Sequence, residues 1–176
     1  MKLCFVLLIL SGSFGVVSSV YGADDDYRLG GGDRIKVIVF GQADLSGEFE
    51  ISATGRVALP LIQEVQADGL TTRELEEAII QKLKPDYLKD PKVSVEVVKF
   101  RPFFILGEVR SPGSYPYVSG MTVVTAVALA GGYTYRAKTA QAYITRENDP
   151  AKKKQLVEPN ARVHPGDVIV VPERFF

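Results

Sequence analysis

The chain has 176 residues, with 21 basic and 21 acidic side chains, one cysteine and one histidine. A balanced charge provides no field to recruit nucleic acid, and that class of partner is excluded. One histidine and one cysteine are too few to build a zinc-type site, and no cofactor is expected.

In chain order, Lys2, the apolar run "LCFVLLIL" and the small residues of "SSVYGA" make residues 1–23 a secretory signal peptide, cleaved after Gly22 or Ala23. Its apolar run is short for a membrane span. The only cysteine, Cys4, lies inside it. A bacterial lipoprotein would keep a cysteine as its first mature residue; glycine, alanine and aspartates stand there, so the expectation is a non-lipidated periplasmic protein held by its core alone. The terminal Phe176 raises an outer-membrane barrel, but counting back by twos places Arg174 and Pro172 on the lipid face, which breaks the alternation a barrel needs.

"YRLGGGDRIKVIVF" turns at glycines and Asp33, then alternates Ile35, Val37 and Val39 with Lys36 and Ile38, which predicts a strand. "EFEIS" and "RVALPL" flank Thr54-Gly55 as an expected hairpin, with Pro60 ending its second strand. "GLTTRELEEAIIQKLKP" is a helix: Thr71 and Glu74 form a capping box, Leu75, Ile79 and Leu83 make a stripe, and Pro85 stops it. "KVSVEVVKF" is another alternating strand.

Around Arg101-Pro102 the pattern restarts. "FFILGEVRSPGSYPY" reads as two strands about a type II turn at Pro112-Gly113. "MTVVTAVALAGG" predicts a helix from an N-cap at Thr122 to a left-handed C-cap at Gly131 or Gly132, apolar almost all round and therefore buried. "AQAYITR" is a strand, "ENDPAKKKQ" a charged surface loop, and "DVIVVP" a last strand entered through Gly166-Asp167. The fold class is α+β, in two small units of about 75 residues each.

Little of this is catalytic. "GGGD" lacks the Lys-Ser/Thr of a P-loop and precedes a strand, so it does not cradle phosphate. No Ser-His-Asp arrangement includes His164, and Asp44, Glu48 and Glu50 read as solvated acids. Asp33 and Asp167 are framework residues of two glycine-aspartate turns, with Pro112, Gly113 and Gly131 as further framework positions. Aromatics and arginines near the turns (Tyr115, Tyr133 and Arg136) are the candidates for facing a sugar polymer.

The pieces "LGGGD", "LSGEFEI", "GRVALPLI", "GLTTRELE" and "YLKDPKVSV" resemble the polysaccharide biosynthesis/export domain of outer-membrane polysaccharide exporters. "FFILGEVRSPGSYPYVSGMTVVTAVALAGGYTYRA", closing on "PGDVIVVPERFF", resembles a soluble-ligand-binding β-grasp (SLBB) domain. The resemblance divides the chain into a signal peptide at 1–23, an export domain at 24–101 and a β-grasp domain at 102–176. It implies export of capsule or exopolysaccharide through a homo-oligomeric ring, with an inner-membrane polysaccharide co-polymerase as partner. Gly31 stands where the family usually has proline, and Thr54-Gly55 where Asp-Gly is common. Longer members add further β-grasp domains, a C-terminal pore helix and a lipid-bearing cysteine; beside them this chain resembles a short member that needs a separate outer-membrane channel protein. Two rivals are a monomeric periplasmic glycan- or peptidoglycan-binding adapter, since "PGDVIVVP" is similar to the closing strand of LysM modules, and a polysaccharide-trimming hydrolase using Glu48 or Glu50.

Overall fold

The computed structural model describes residues 27–84 and 86–174. The signal peptide, the stop at Pro85 and the terminal Phe176 lie outside the described residues.

Strand β1 (Arg34–Val39) starts directly after Asp33, and its alternation puts Ile35, Val37 and Val39 in the core. A 3-10 turn at Ala43–Leu45 brings β2 (Gly47–Glu50) back antiparallel to β1. The expected hairpin about Thr54-Gly55 is not formed. β3 (Arg56–Leu59) pairs instead with β4 (Gln63–Gln66), in a separate two-stranded sheet. Gly55 closes a tight turn onto the Ser52 carbonyl at φ 76°, and its own carbonyl accepts from the amides of Ala67 and Asp68. The chain leaving that turn is thus captured by residues 63–68, while β2 pairs with β1. The real β3–β4 turn carries Leu61 and Gln63 at positive φ, a conformation that non-glycine residues rarely signal in sequence.

Helix α1 (Thr72–Leu83) has the expected capping box: the Glu74 amide donates to Thr71 Oγ1 at 3.2 Å, and the Thr71 amide to Glu74 Oε2 at 2.8 Å. Leu75, Ile79 and Leu83 are its buried stripe. It packs on β5 (Val93–Lys99), which flanks β1 on the side opposite β2, and Glu76 Oε1 accepts the Val95 amide. One continuous cluster from Leu29 to Val95 fills this half.

A second cluster, from Phe103 to Val171, shares no residue with the first. Its strands are β6 (Phe103–Gly107), β7 (Gly113–Tyr115), β8 (Ala142–Thr145), β9 (Lys154–Val157) and β10 (Val168–Val171), in the order β7-β6-β10-β8-β9. β6 and β10 run parallel and the other pairs antiparallel. Three expectations are corrected here. Gly113 is a strand residue paired with Ile105, so Pro112-Gly113 is not a type II turn; the positive φ at the end of β6 belongs to Gly107, at 87°. The charged loop overlaps β9, whose polar sequence KQLV carries no alternating core signal. Helix α2 (Val123–Leu129) is not buried all round: Val123, Ala126 and Val127 face the sheet, whereas Val124 and Leu129 are exposed. A helix lying on one sheet can bury only the side that meets it.

At its C-terminus α2 does end as expected. Gly131 and Gly132 have φ 82° and 92°; their amides donate to the carbonyls of Ala128 and Val127, which makes a Schellman motif. Two helices and ten strands among the described residues constitute the α+β fold. No helix among them is long and apolar enough to cross a membrane.

Candidate functional site

The two glycine-aspartate turns are the same object built twice. In the first, the Asp33 amide donates to the Gly30 carbonyl at 3.2 Å, and the Gly30 amide donates to Asp33 Oδ2 at 2.9 Å. In the second, the Asp167 amide donates to the His164 carbonyl at 3.2 Å, and the His164 amide to Asp167 Oδ2 at 2.7 Å. Gly32 and Gly166 take the positive-φ third position at 90° and 82°, as a type II turn requires. Pro165 holds the second position in one turn and Gly31 in the other, where a Cβ would lie 2.9 Å from the Ser52 carbonyl oxygen.

Both turns converge on Arg101, at the junction of the two cores. Its amide donates to Asp33 Oδ1 at 2.8 Å and its Nη1 to Asp33 Oδ2 at 3.0 Å. Arg101 Nε donates to Glu147 at 2.5 Å, and Nη2 reaches Asn148. The guanidinium fills the space beside Gly30, where a Cβ would sit 2.3 Å from Nη1. On the other side, a Cβ at Gly166 would meet Glu147 Oε2 and then Arg101 Nε at 2.9 Å. The Gly166 amide donates to the Pro102 carbonyl at 3.0 Å. Asp33 and Arg101 are 0% and 5% exposed, which makes this a buried ion pair with its remaining hydrogen-bonding groups matched.

Tyr27 completes the joint. Its hydroxyl donates to Asp33 Oδ2 at 2.6 Å and accepts from Arg101 Nη1 at 3.0 Å. Burial first, then the Asp33 carboxylate, pushes its pKa far above the ordinary phenol range. Burial works to lower the Arg101 pKa, but Tyr27, Asp33 and Glu147 outweigh it and the net direction is up. Phe100 stands edge-on between Tyr27 and Tyr117, at centroid distances of 5.0 and 5.3 Å. The connection at 99–102 is therefore clamped from both halves.

The second turn has its own arginine. Arg146 Nη1 donates to Asp167 Oδ2 at 2.5 Å and lies 2.6 Å from His164 Nδ1. A guanidinium only donates, so that ring nitrogen accepts and the imidazole is neutral in this contact. Burial, then Arg146, lowers the His164 pKa against the pull of Asp167. Burial raises the Asp167 pKa against its contacts with the His164 amide and Arg146.

Two shallow grooves of about 600 and 430 Å³ flank the first turn and share Gly31, Asp68 and Glu147. Their walls are glycine backbone, Ser52, Thr54 and mixed charges, groups suited to short hydrogen bonds with hydroxyl-rich material. Among the described residues no cluster of three or more His, Cys, Asp or Glu could hold a metal ion. The acids Glu48 and Glu50 lie on β2, where Glu50 pairs with exposed Arg34.

The residues singled out for facing sugar are not gathered in these grooves. The Tyr115 ring stacks on Phe103 and its hydroxyl donates to the Ser111 carbonyl at 2.6 Å. Tyr133 bridges to Val109 and packs partly into the second core, with burial raising its pKa. Arg136 is exposed and bonds Glu173. Pro112 is exposed before β7, and Gly113 has room for a Cβ, whose nearest neighbour is 3.9 Å away. The sequence reading missed Arg101 as the hub and Gly107 as the obligate glycine: a Cβ there would lie 2.1 Å from the Val171 oxygen. The available signal for Arg101 was an arginine next to Pro102, where the pattern restarts, with a buried glycine-aspartate turn needing a cation.

Comparison with known proteins adds to this geometry. The family model described as polysaccharide biosynthesis/export protein matches residues 22–98, and that of the SLBB domain matches residues 102–152. The chain is similar to the exopolysaccharide production protein ExoF of Rhizobium meliloti (strain 1021), with 34% identity over 141 residues, covering 73% of this chain and 34% of that protein. It is also similar to the polysialic acid transport protein KpsD of Escherichia coli, with 25% identity over 134 residues, covering 75% of this chain and 24% of the relative. The chain thus spans about a third and about a quarter of the lengths of these relatives.

Proposed function

The chain belongs to the polysaccharide biosynthesis/export protein family, and on that premise we propose that it is a periplasmic component of a capsule or exopolysaccharide export machine. In this reading identical copies form a ring-like conduit that passes polymer from an inner-membrane co-polymerase to a separate outer-membrane channel protein. Residues 24–101 and 102–176 act as its two modules, and no bond of the polymer is made or broken. The observation that carries the reading is the tandem of family matches over 22–98 and 102–152, together with relatives named for exopolysaccharide production and polysialic acid transport.

Physical requirements of a conduit agree with the geometry. A closed ring needs each copy to present two different surfaces at a constant angle, and a joint clamped through Arg101, Asp33 and Glu147 supports a constant angle. A passage should hold its polymer weakly, because tight sites stall transit; open polar grooves of about 600 and 430 Å³ suit weak contacts. Tyr115, Tyr133 and Arg136 remain our candidates for touching polymer.

Deleting the gene tests the proposal. Polymer should still be synthesised but fail to reach the cell surface, and normal surface polymer in the deletion strain would overturn it. Sizing the processed protein and pulling it down on peptidoglycan separates the adapter reading, which predicts a monomer retained on the wall.

A further inference from the structure

The five-stranded sheet has an apolar inner face and an apolar patch on its outer face. Its inner face packs against α2 through Phe103, Ile105, Ile144, Ile169 and Val171. On the outer face the registers align Leu106, Val170, Tyr143 and Leu156 across four strands, with Phe104 beside Val168 in the next row. Phe104, Leu106 and Leu156 are 42%, 46% and 58% exposed. A sheet whose second face meets water is usually polar there; here one row is apolar across four strands, and Ser114, Thr145 and Lys154 continue the next row on either side of Phe104 and Val168. The patch is on the order of 400 Å², the size at which a monomer's largest apolar patch is often functional.

A second apolar surface lies on the opposite side of the same unit. α2 turns Val123, Ala126 and Val127 toward the sheet, which leaves Val124, Ala128 and Leu129 as an outward ridge with Thr125 among them. Val124 and Leu129 are 41% and 50% exposed.

We propose that the outer sheet face of one copy receives the α2 ridge of the next copy, head to tail, an assignment that rests on the ring reading above. A two-fold pair of sheet faces would leave both α2 ridges bare, whereas head-to-tail contact covers both surfaces and repeats from copy to copy. The packing is the one the chain already uses: α2 would lie between its own sheet and its neighbour's, each side burying an apolar stripe. An apolar centre of about 400 Å² fits the core of an interface of about 800 Å² per partner, with a polar rim making up the rest. Charged residues of both signs border the two surfaces, with Arg162 bridged to Thr122 at the start of α2. Lys154 borders the sheet patch with Nζ 4.5 Å from the Tyr143 ring centre. Glu158 precedes Pro159, whose carbonyl accepts the Val124 amide at the start of the ridge.

Cysteine pairing tests the contact, because the sequence has no cysteine beyond Cys4 in the leader. In a panel that joins Phe104→Cys or Leu106→Cys with Val124→Cys or Leu129→Cys, oxidation should give a ladder extending past the dimer in at least one double variant and nothing in the singles. A dimer from Phe104→Cys or Leu106→Cys alone would overturn the proposal in favour of a two-fold pair. Oligomers caught by an amine-reactive crosslinker, without any ladder in the panel, would refute this interface and leave the ring reading standing; absence of oligomers by either route would refute both. Phe104→Glu, checked for an unchanged urea midpoint, should weaken self-association more than about tenfold, and undiminished association would count against the proposal.

Discussion

Replacing Asp33 with alanine probes the joint most directly. Asp33 is fully buried and accepts four hydrogen bonds, from the Tyr27 hydroxyl, the Gly30 amide, the Arg101 amide and Arg101 Nη1. Its removal strands two buried amides and deprives a guanidinium that is 5% exposed of its most buried counter-ion. Breaking a buried pair from one side costs about 3–5 kcal/mol, a large part of the ~5–15 kcal/mol that holds a domain together. Urea unfolding should therefore show a midpoint lower by about 2 M, taking a slope near 2 kcal/mol per M. The double variant Asp33→Asn with Arg101→Met should recover much of the loss, since removing both charges leaves neither unpaired; Glu147, 43% exposed, can turn to water. A loss below about 1 kcal/mol in Asp33→Ala, or strictly additive losses in the double variant, would show that the pair does not organise the joint.

Other consequences are separable. Gly107→Ala should cost about 3 kcal/mol or more and lower the melting temperature by roughly 10 °C, because its φ of +87° and a Cβ 2.1 Å from the Val171 oxygen leave no accommodation. Gly113→Ala, with open space around it, should stay within about 0.5 kcal/mol in the same melting experiment. Thr71→Ala should lose about 1 kcal/mol by chemical denaturation, through the broken capping box of α1. The His164 pKa is lowered by burial and by Arg146 and Arg162, so the unfolded chain takes up the proton first as pH falls. Stability should accordingly decline as pH drops below about 6.5 and level off below the folded value, and denaturant midpoints of His164→Gln should lack that component.

These tests bear on function through geometry. In the role proposed above the angle between the two halves matters, and the residues that tie the halves together are Arg101, Asp33, Glu147 and Phe100.

Sequence alone determined what local physics can determine. Alternation in RIKVIV fixed the buried face of β1. Thr71 with Glu74 fixed where α1 begins, Gly131 with Gly132 fixed how α2 ends, and the glycine-aspartate pairs fixed the entries to β1 and β10. The family resemblance rested on the same spaced motifs. Tertiary structure decided which strand pairs with which, because Thr54-Gly55 makes a turn whatever sheet its flanks join, and only the capture of Gly55 by residues 67 and 68 sends β3 to β4. It decided that α2, apolar on nearly every side, buries one side and presents the other. It also decided that two turns far apart in the chain meet beside one buried arginine, Arg101, while the acid of the second turn takes Arg146. Periodicity reports burial within an element, but a buried cation is placed by acids that the fold brings from distant positions, here Asp33 and Glu147.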